Sequence, residues 1–151
     1  MAPGDFLMTG MQRLLTILCV TLSAAAVQAQ EGGRKAIAFV QAPEMGAGVC
    51  VEGDTDRAID CAMKQCMESG ATAEDCQVNA TCYPANWSVD VFMMADGGPH
   101  WHQYSCGWQT RELALKAAEL ACSDAKENNL IECSAVQLID EEGTILAPPF
   151  E

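Results

Sequence analysis

Residues 87–107 have the sequence WSVDVFMMADGGPHWHQYSCG, and this stretch decides the fold class. Apolar and β-branched side chains fill its first part, aromatic and polar ones its last part, and the turn Asp96-Gly97-Gly98-Pro99 separates them. Glycine readily adopts the left-handed backbone that a tight turn between antiparallel strands requires. The segment therefore predicts a β-hairpin with strands over 87–95 and 100–107 and its tip at the two glycines.

Three more strands and two helices are predicted around this hairpin. Turn-forming residues bound the strands, which we place over 35–40, 76–82 and 132–139. Apolar residues at helical spacing follow Thr55, the predicted N-cap, until Gly70 ends the first helix. A second apolar stripe, rich in alanine, follows Thr110. We expect both helices to pack closely on sheets, because small side chains let backbones approach.

The first 29 residues have the pattern of a secretory signal. Met11 is an alternative start, Arg13 precedes an apolar run, and Val27-Gln28-Ala29 forms a cleavage site. The apolar run is shorter than the about 20 residues that a membrane-spanning helix needs. We expect export to the periplasm or the extracellular space, no integral membrane association, and a mature chain over 30–151.

The mature chain carries eight of the nine cysteines, and no two of them have the C-x-x-C spacing of zinc and redox motifs. An even number of cysteines in an exported chain predicts disulfides. The eight are Cys50, Cys61, Cys66, Cys76, Cys82, Cys106, Cys122 and Cys133.

Two pairings follow from the predicted elements. Cys66–Cys76 and Cys122–Cys133 would each join a helix end to the next strand and close a short loop. For the others we predict Cys50 with Cys106, at equivalent places in the two halves, and Cys61 with Cys82, leaving swapped pairings open.

The chain also shows an internal repeat, with similar orders of strand, capped helix and cysteines over 35–82 and 83–139. These features together predict one small disulfide-stapled α+β domain. Each of its two pseudo-repeats would contain antiparallel strands and one helix, and a short tail would follow residue 139.

This pattern resembles the small exported bacterial proteins of the domain-of-unknown-function family numbered 4189. The resemblance covers roughly residues 35–139. It rests on Ala36-Ile37-Ala38-Phe39, on Ala58, Ala62 and Cys66 in the first helix, on the strand from Cys76, on Cys106-Gly107-Trp108, and on Ala114, Ala117, Ala118 and Cys122 before Cys133. It implies export, disulfides and an α+β fold, and it brings no activity or catalytic residue with it.

The formal charge of −13 argues against nucleic acid or an anionic membrane surface as partner, because phosphate contacts need cations. Such a charge favours a cationic protein or peptide. Four aromatic residues near the hairpin, Trp87, Trp101, Tyr104 and Trp108, are candidates for the anchors of a binding surface. The alternative interpretation is that these aromatic side chains build the core of the sheet.

A metal site is a second functional hypothesis. If the turn pairs Ala95 with His100, then Met93 faces His102, and Met93, His100 and His102 share one face. Two imidazoles and a thioether are ligands that copper accepts. The simpler interpretation places Met93 in the core, and a shift of one residue would separate the set.

An enzyme is the third hypothesis. The chain contains no nucleophile elbow, phosphate-binding glycine loop or zinc-protease helix. We therefore assign no catalytic residue and, apart from copper, no cofactor. A small hydrolase stays as the third alternative behind binding of a cationic partner and copper binding.

Overall fold

The computed structural model describes residues 33–125 and 129–148, so the predicted signal over 1–29 and the end of the tail lie outside the described residues. The described part contains two helices and seven strands. They are β1 (Ala36–Ala42), β2 (Gly46–Glu52), α1 (Thr55–Glu68), β3 (Gln77–Cys82), β4 (Trp87–Ala95), β5 (His100–Trp108), α2 (Arg111–Asp124), β6 (Leu130–Ile139) and β7 (Ile145–Leu146). The predicted α+β class is confirmed.

The strands form two antiparallel sheets, with strand orders β2-β1-β3 and β5-β4-β6-β7. In the first sheet β1 lies between β2, its hairpin partner, and β3, the strand that follows α1. In the second sheet β4 lies in the same way between β5 and β6. The two halves thus share an order of elements. The repeat at the level of the sequence stays a prediction.

Alternating side chains of β1 contribute to two separate cores. Ala38 and Val40 face α1 and are fully buried against its alanines. Phe39 points to the other side and packs with Ile139 of the second sheet. On the far side of that sheet, α2 covers the buried side chains of β4. The molecule therefore has four layers, in the order α1, first sheet, second sheet, α2.

Strand β2 is not among the predicted strands, because its sequence GAGVCVE is rich in glycine. Its glycines allow α1 to approach closely. A Cβ at Gly46 would lie 2.7 Å from the carbonyl oxygen of Cys66, and one at Gly48 would overlap the carbonyl oxygen of Ala62. The strand and the helix backbones are thus in direct contact.

The helix ends agree with the sequence except at one cap. The N-cap of α1 is Asp54, whose carboxylate accepts a hydrogen bond from the Arg57 amide at 2.9 Å, so the prediction of Thr55 was one residue late. Gly70, with φ of 112°, follows the end of this helix as predicted. Thr110 caps α2 and accepts from the Leu113 amide.

Four disulfides stabilise the fold, and they are typical of an oxidising compartment. Cys66–Cys76 and Cys122–Cys133 join helix ends to the following strands, as predicted. In the described part of the chain, no helix is long and apolar enough to span a bilayer.

The other two predicted pairings are wrong. Cys50 pairs with Cys61, because it faces α1 from β2, with the two Cα atoms 5.8 Å apart. Cys82 pairs with Cys106, because β3 and β5 meet where the two sheets face each other. This last bridge is the one that joins the two sheets.

Candidate functional site

The hairpin has a register one residue away from the predicted one. The Ala95 amide donates to the carbonyl oxygen of Pro99, so the loop holds three residues, and Met93 pairs with Trp101. His102 pairs with Phe92 instead. Two glycines with positive φ make this shorter loop possible. The β5 side chains from His100 to Ser105 are therefore displaced by one position relative to β4, and a bulge beyond them pairs Trp87 with Trp108.

This register separates the predicted copper ligands. Met93 is 1% exposed and packs in the core beneath α2. His100 and His102 lie on the opposite face, next to Phe92. The predicted set of Met93, His100 and His102 is thus wrong as a group. Among the residues of known position, no group of three or more His, Cys, Asp or Glu side chains is arranged to hold a metal ion.

The predicted aromatic surface is also divided between the two faces of the second sheet. Trp87, Trp101 and Trp108 are half-buried and pack on the α2 side, where the Trp108 indole donates to the Ser105 hydroxyl at 2.9 Å. Tyr104 lies on the face toward the first sheet. The four side chains therefore do not form one exposed cluster.

The face that holds His102 carries an acidic residue that the sequence analysis did not single out. Asp90 lies in the apolar strand β4, is 5% exposed, and is on the same side as Phe92. Nδ1 of His102 lies 2.8 and 2.9 Å from its two carboxylate oxygens. The imidazole thus binds the carboxylate through one nitrogen and keeps Nε2 for another partner.

Burial raises the pKa of the Asp90 carboxyl above its ordinary value of 3.8, and the hydrogen bond and charge of His102 oppose this shift in part. Tyr104 is the direct neighbour of Asp90 on β5. Burial and the negative charge of Asp90 raise the pKa of its hydroxyl, which therefore stays protonated at neutral pH. The site thus combines an acid, an imidazole and a phenol.

Aromatic rings continue the site into the space between the sheets. Phe39 stacks on Tyr104 with ring centroids 4.6 Å apart, and Tyr104 stacks on His102 at 6.1 Å. Phe92 contacts the other side of His102 edge-on. The imidazole is therefore fixed between two aromatic rings and the Asp90 carboxylate.

Phe39, Asp90, His102 and Tyr104 line a cleft of about 250 Å³ between the two sheets, which we call the inter-sheet cleft. Aromatic, amide and charged groups share its wall. The lining includes Phe39, Gln41, Asp90, His102, Tyr104 and Gln137. Three of these residues come from the second half's hairpin and one from β6, while the first two come from β1.

Comparison with known proteins adds no relative. The chain matches no protein-family model, no curated protein and no solved structure. The resemblance described from the sequence therefore stays a prediction, and function is inferred from the geometry of the site.

The inter-sheet cleft has groups that can bind a cation. A carboxylate attracts positive charge, and amide oxygens accept hydrogen bonds from a cationic group. No serine, threonine or cysteine is among the described residues that line it. His102 and Tyr104 were predicted candidates, although for different sites. Asp90, the one charged residue of β4, was the signal available in the sequence.

Proposed function

We propose that this protein is an exported, disulfide-stabilised binding module that recognises a cationic group of a protein or peptide in the inter-sheet cleft. A lysine or arginine side chain is the group that the cleft accepts. Export rests on the signal sequence and on the four disulfides.

The observation that carries this proposal is the buried carboxylate of Asp90 at the wall of the cleft. A buried carboxylate is costly unless it is paired, and the partner here is a single imidazole. An apolar residue at this position of β4 would be buried without the desolvation penalty of a charged group. We infer that the charge is retained because it meets a ligand.

The size and the walls of the cleft support one side chain as the ligand. A volume of about 250 Å³ holds one long side chain and excludes a folded domain. The side-chain amides of Gln41 and Gln137 line the same cleft and offer hydrogen-bond acceptors to such a group. The expected ligand is therefore an ammonium or guanidinium group on a flexible stem.

The charge of the whole chain supports the same sign of ligand. Four basic side chains of the described part already pair with carboxylates, in Lys35–Glu142, Arg57–Asp54, Lys64–Glu68 and Lys116–Glu119. The net charge of −13 arises because 21 acidic side chains outnumber 8 basic ones. Such a field accelerates the encounter with a cationic molecule and weakens as salt is added.

Calorimetric titration with a tetralysine peptide tests the proposal. Asp90→Asn keeps the shape of the side chain and removes its charge, and Glu74→Gln removes one charge from an exposed loop. We expect Asp90→Asn to weaken binding by at least about tenfold and Glu74→Gln to change it less than about twofold. Equal affinities of the two variants would show that only the overall charge matters, and they would overturn the assignment to the cleft.

A further inference from the structure

Strand β6 has a long edge that the described residues leave unpaired. One side of β6 pairs with β4 along its length, whereas β7 pairs on the other side with Leu138 and Ile139 alone. No strand of known position covers that edge over residues 130–137. The pairing with β4 is regular from Glu132 to Ala135, between two bulges. Backbone amides and carbonyls along this run are therefore available to a further strand.

A groove runs beside the same edge. It has a volume of about 550 Å³ and lies between one stripe of α2 and the start of β6. Leu115, Ala118 and Cys122 form its helical wall, and Cys133 and Ala135 form its strand wall. The Cys122–Cys133 disulfide joins the two walls, so the width of the groove is fixed before any ligand arrives.

The two faces of the edge differ in character. Cys133 and Ala135 are on the α2 side, because they pair with Met93 and Val91 of that core. Glu132 and Ser134 lie on the opposite face and are exposed. A strand added to this edge would place alternate side chains in the groove and next to Glu132.

From this arrangement we propose that the β6 edge and its groove bind an extended segment of another protein by strand addition. The segment has apolar residues, which enter the groove, alternating with basic residues, which face Glu132. The groove lies on the face of the second sheet opposite the inter-sheet cleft. Glu132 is on the cleft's face, but it pairs with Met94 near the hairpin tip and does not line the cleft.

Charge complementarity selects this occupant over a second copy of the chain. Glu132 lies exposed on the edge strand. Edge-to-edge pairing of two copies would bring this acid of each copy, and two net charges of −13, toward each other. An extended basic segment removes that repulsion and satisfies the same backbone groups.

The test uses two peptides of equal composition, acetyl-Val-Lys-Val-Lys-Val-amide and acetyl-Val-Val-Lys-Lys-Val-amide. We expect the alternating peptide to bind at least about tenfold more tightly than its isomer. Nuclear magnetic resonance should show the largest amide shifts between Glu132 and Ala135. Alternate backbone amides of the peptide point toward the β6 edge. N-methylation of that set should abolish binding, because it removes the amide protons that pair with the edge, whereas N-methylation of the other set should not.

Variants separate this surface from the cleft. Glu132→Lys should weaken binding of the alternating peptide by at least about fivefold. Glu74→Lys makes the same charge change in a loop and should alter that affinity by less than about twofold. Asp90→Asn should leave this interaction unchanged. Equal binding of the two peptides, or shifts confined to the inter-sheet cleft, would overturn the proposal. Dimerisation of the free protein with amide shifts between Glu132 and Ala135 would also overturn it, because it would assign the edge to a second copy.

Discussion

Asp90 places a carboxylate in the middle of a strand whose neighbouring residues are apolar, and its environment disfavours the charged form. Its raised pKa shows that burial outweighs the contribution of His102. A group with a raised pKa in the folded state stabilises the fold when it is protonated, below its unfolded value of 3.8. That contribution is lost as the pH rises through the folded value. Ionised Asp90 therefore lowers the free energy of unfolding at neutral pH.

The first prediction concerns the stability of Asp90→Asn. The variant should be at least as stable as the wild type at pH 7, and its advantage should disappear at pH 3, where the wild-type carboxyl is also neutral. Urea unfolding at the two pH values measures both differences. A variant that is clearly less stable at pH 7 would show that the pairing with His102 outweighs burial.

A second prediction concerns His102→Ala, which leaves the Asp90 carboxylate buried without its imidazole. We expect a loss of about 2 kcal/mol in the free energy of unfolding at pH 7, because a buried charged acceptor loses its hydrogen bond. Adding Asp90→Asn should recover part of that loss. A double-mutant cycle measures the coupling, and additive effects of the two substitutions would contradict a direct interaction.

The residues of the candidate site were only partly predictable. His102 and Tyr104 stand out in the sequence as one of two histidines and one of two tyrosines. Asp90 was not predicted, because the sequence does not show whether an aspartate in a strand lies on a buried or an exposed face of the sheet. Met93 was grouped with the histidines wrongly, because one residue fewer in the turn moves the β5 side chains from His100 to Ser105 to the opposite face. Spacing alone does not determine that choice.

At the scale of elements, the contact between β2 and α1 depends on the absence of side chains. Gly46 and Gly48 lie on the helix-facing side of β2, and Cys50 follows them on the same side. On the facing side of α1 lie Ala58 and Ala62, and both are fully buried. Close packing here therefore requires small residues on both elements.

A third prediction follows for Gly48→Ala. The new Cβ would overlap the backbone of Ala62, which cannot move without shifting α1. We expect the free energy of unfolding to fall by about 2 kcal/mol. Gly53→Ala is the matched control, since a Cβ there meets nothing within 4 Å. Urea unfolding should leave the control unchanged or slightly more stable, and equal losses in both variants would contradict the close approach.

The predictability of an element followed the strength of its pattern. The strand over 87–95 and both helices have long apolar runs with clear ends, and the structure has them close to the predicted bounds. Strand β2 lacks such a run, because glycines replace the side chains that mark a strand. Its existence depends on α1, which is a tertiary contact that local sequence does not contain.

At the scale of the whole molecule, two sheets face each other and Cys82–Cys106 ties them together. This bridge joins β3 to β5 and spans 24 residues, whereas the others span 10 or 11 and stay within one half. The inter-sheet cleft has walls from both sheets. Its shape therefore depends on a covalent link as well as on packing.

A fourth prediction concerns the double variant Cys82→Ala, Cys106→Ala. Loss of the bridge should lower the free energy of unfolding by about 3 kcal/mol in the chain-entropy model. It should also weaken tetralysine binding, because the walls of the cleft are no longer held together. Cys122→Ala with Cys133→Ala is the control, because this bridge lies on the other face of the second sheet and neither residue lines the cleft. It should reduce stability, as urea unfolding would show, and leave the affinity unchanged. Equal losses of affinity in the two variants would contradict a specific role of the Cys82–Cys106 bridge in shaping the cleft.

The order of the bridges along the chain has a consequence for biosynthesis. The eight cysteines between residues 50 and 133 pair in sequence order, so none of the four bridges encloses or crosses another. A chain that meets an oxidant from its N-terminal end, and whose thiols are joined in the order in which they emerge, acquires the native connectivity directly. Its maturation would then need a thiol oxidant but no enzyme that reshuffles mispaired cysteines.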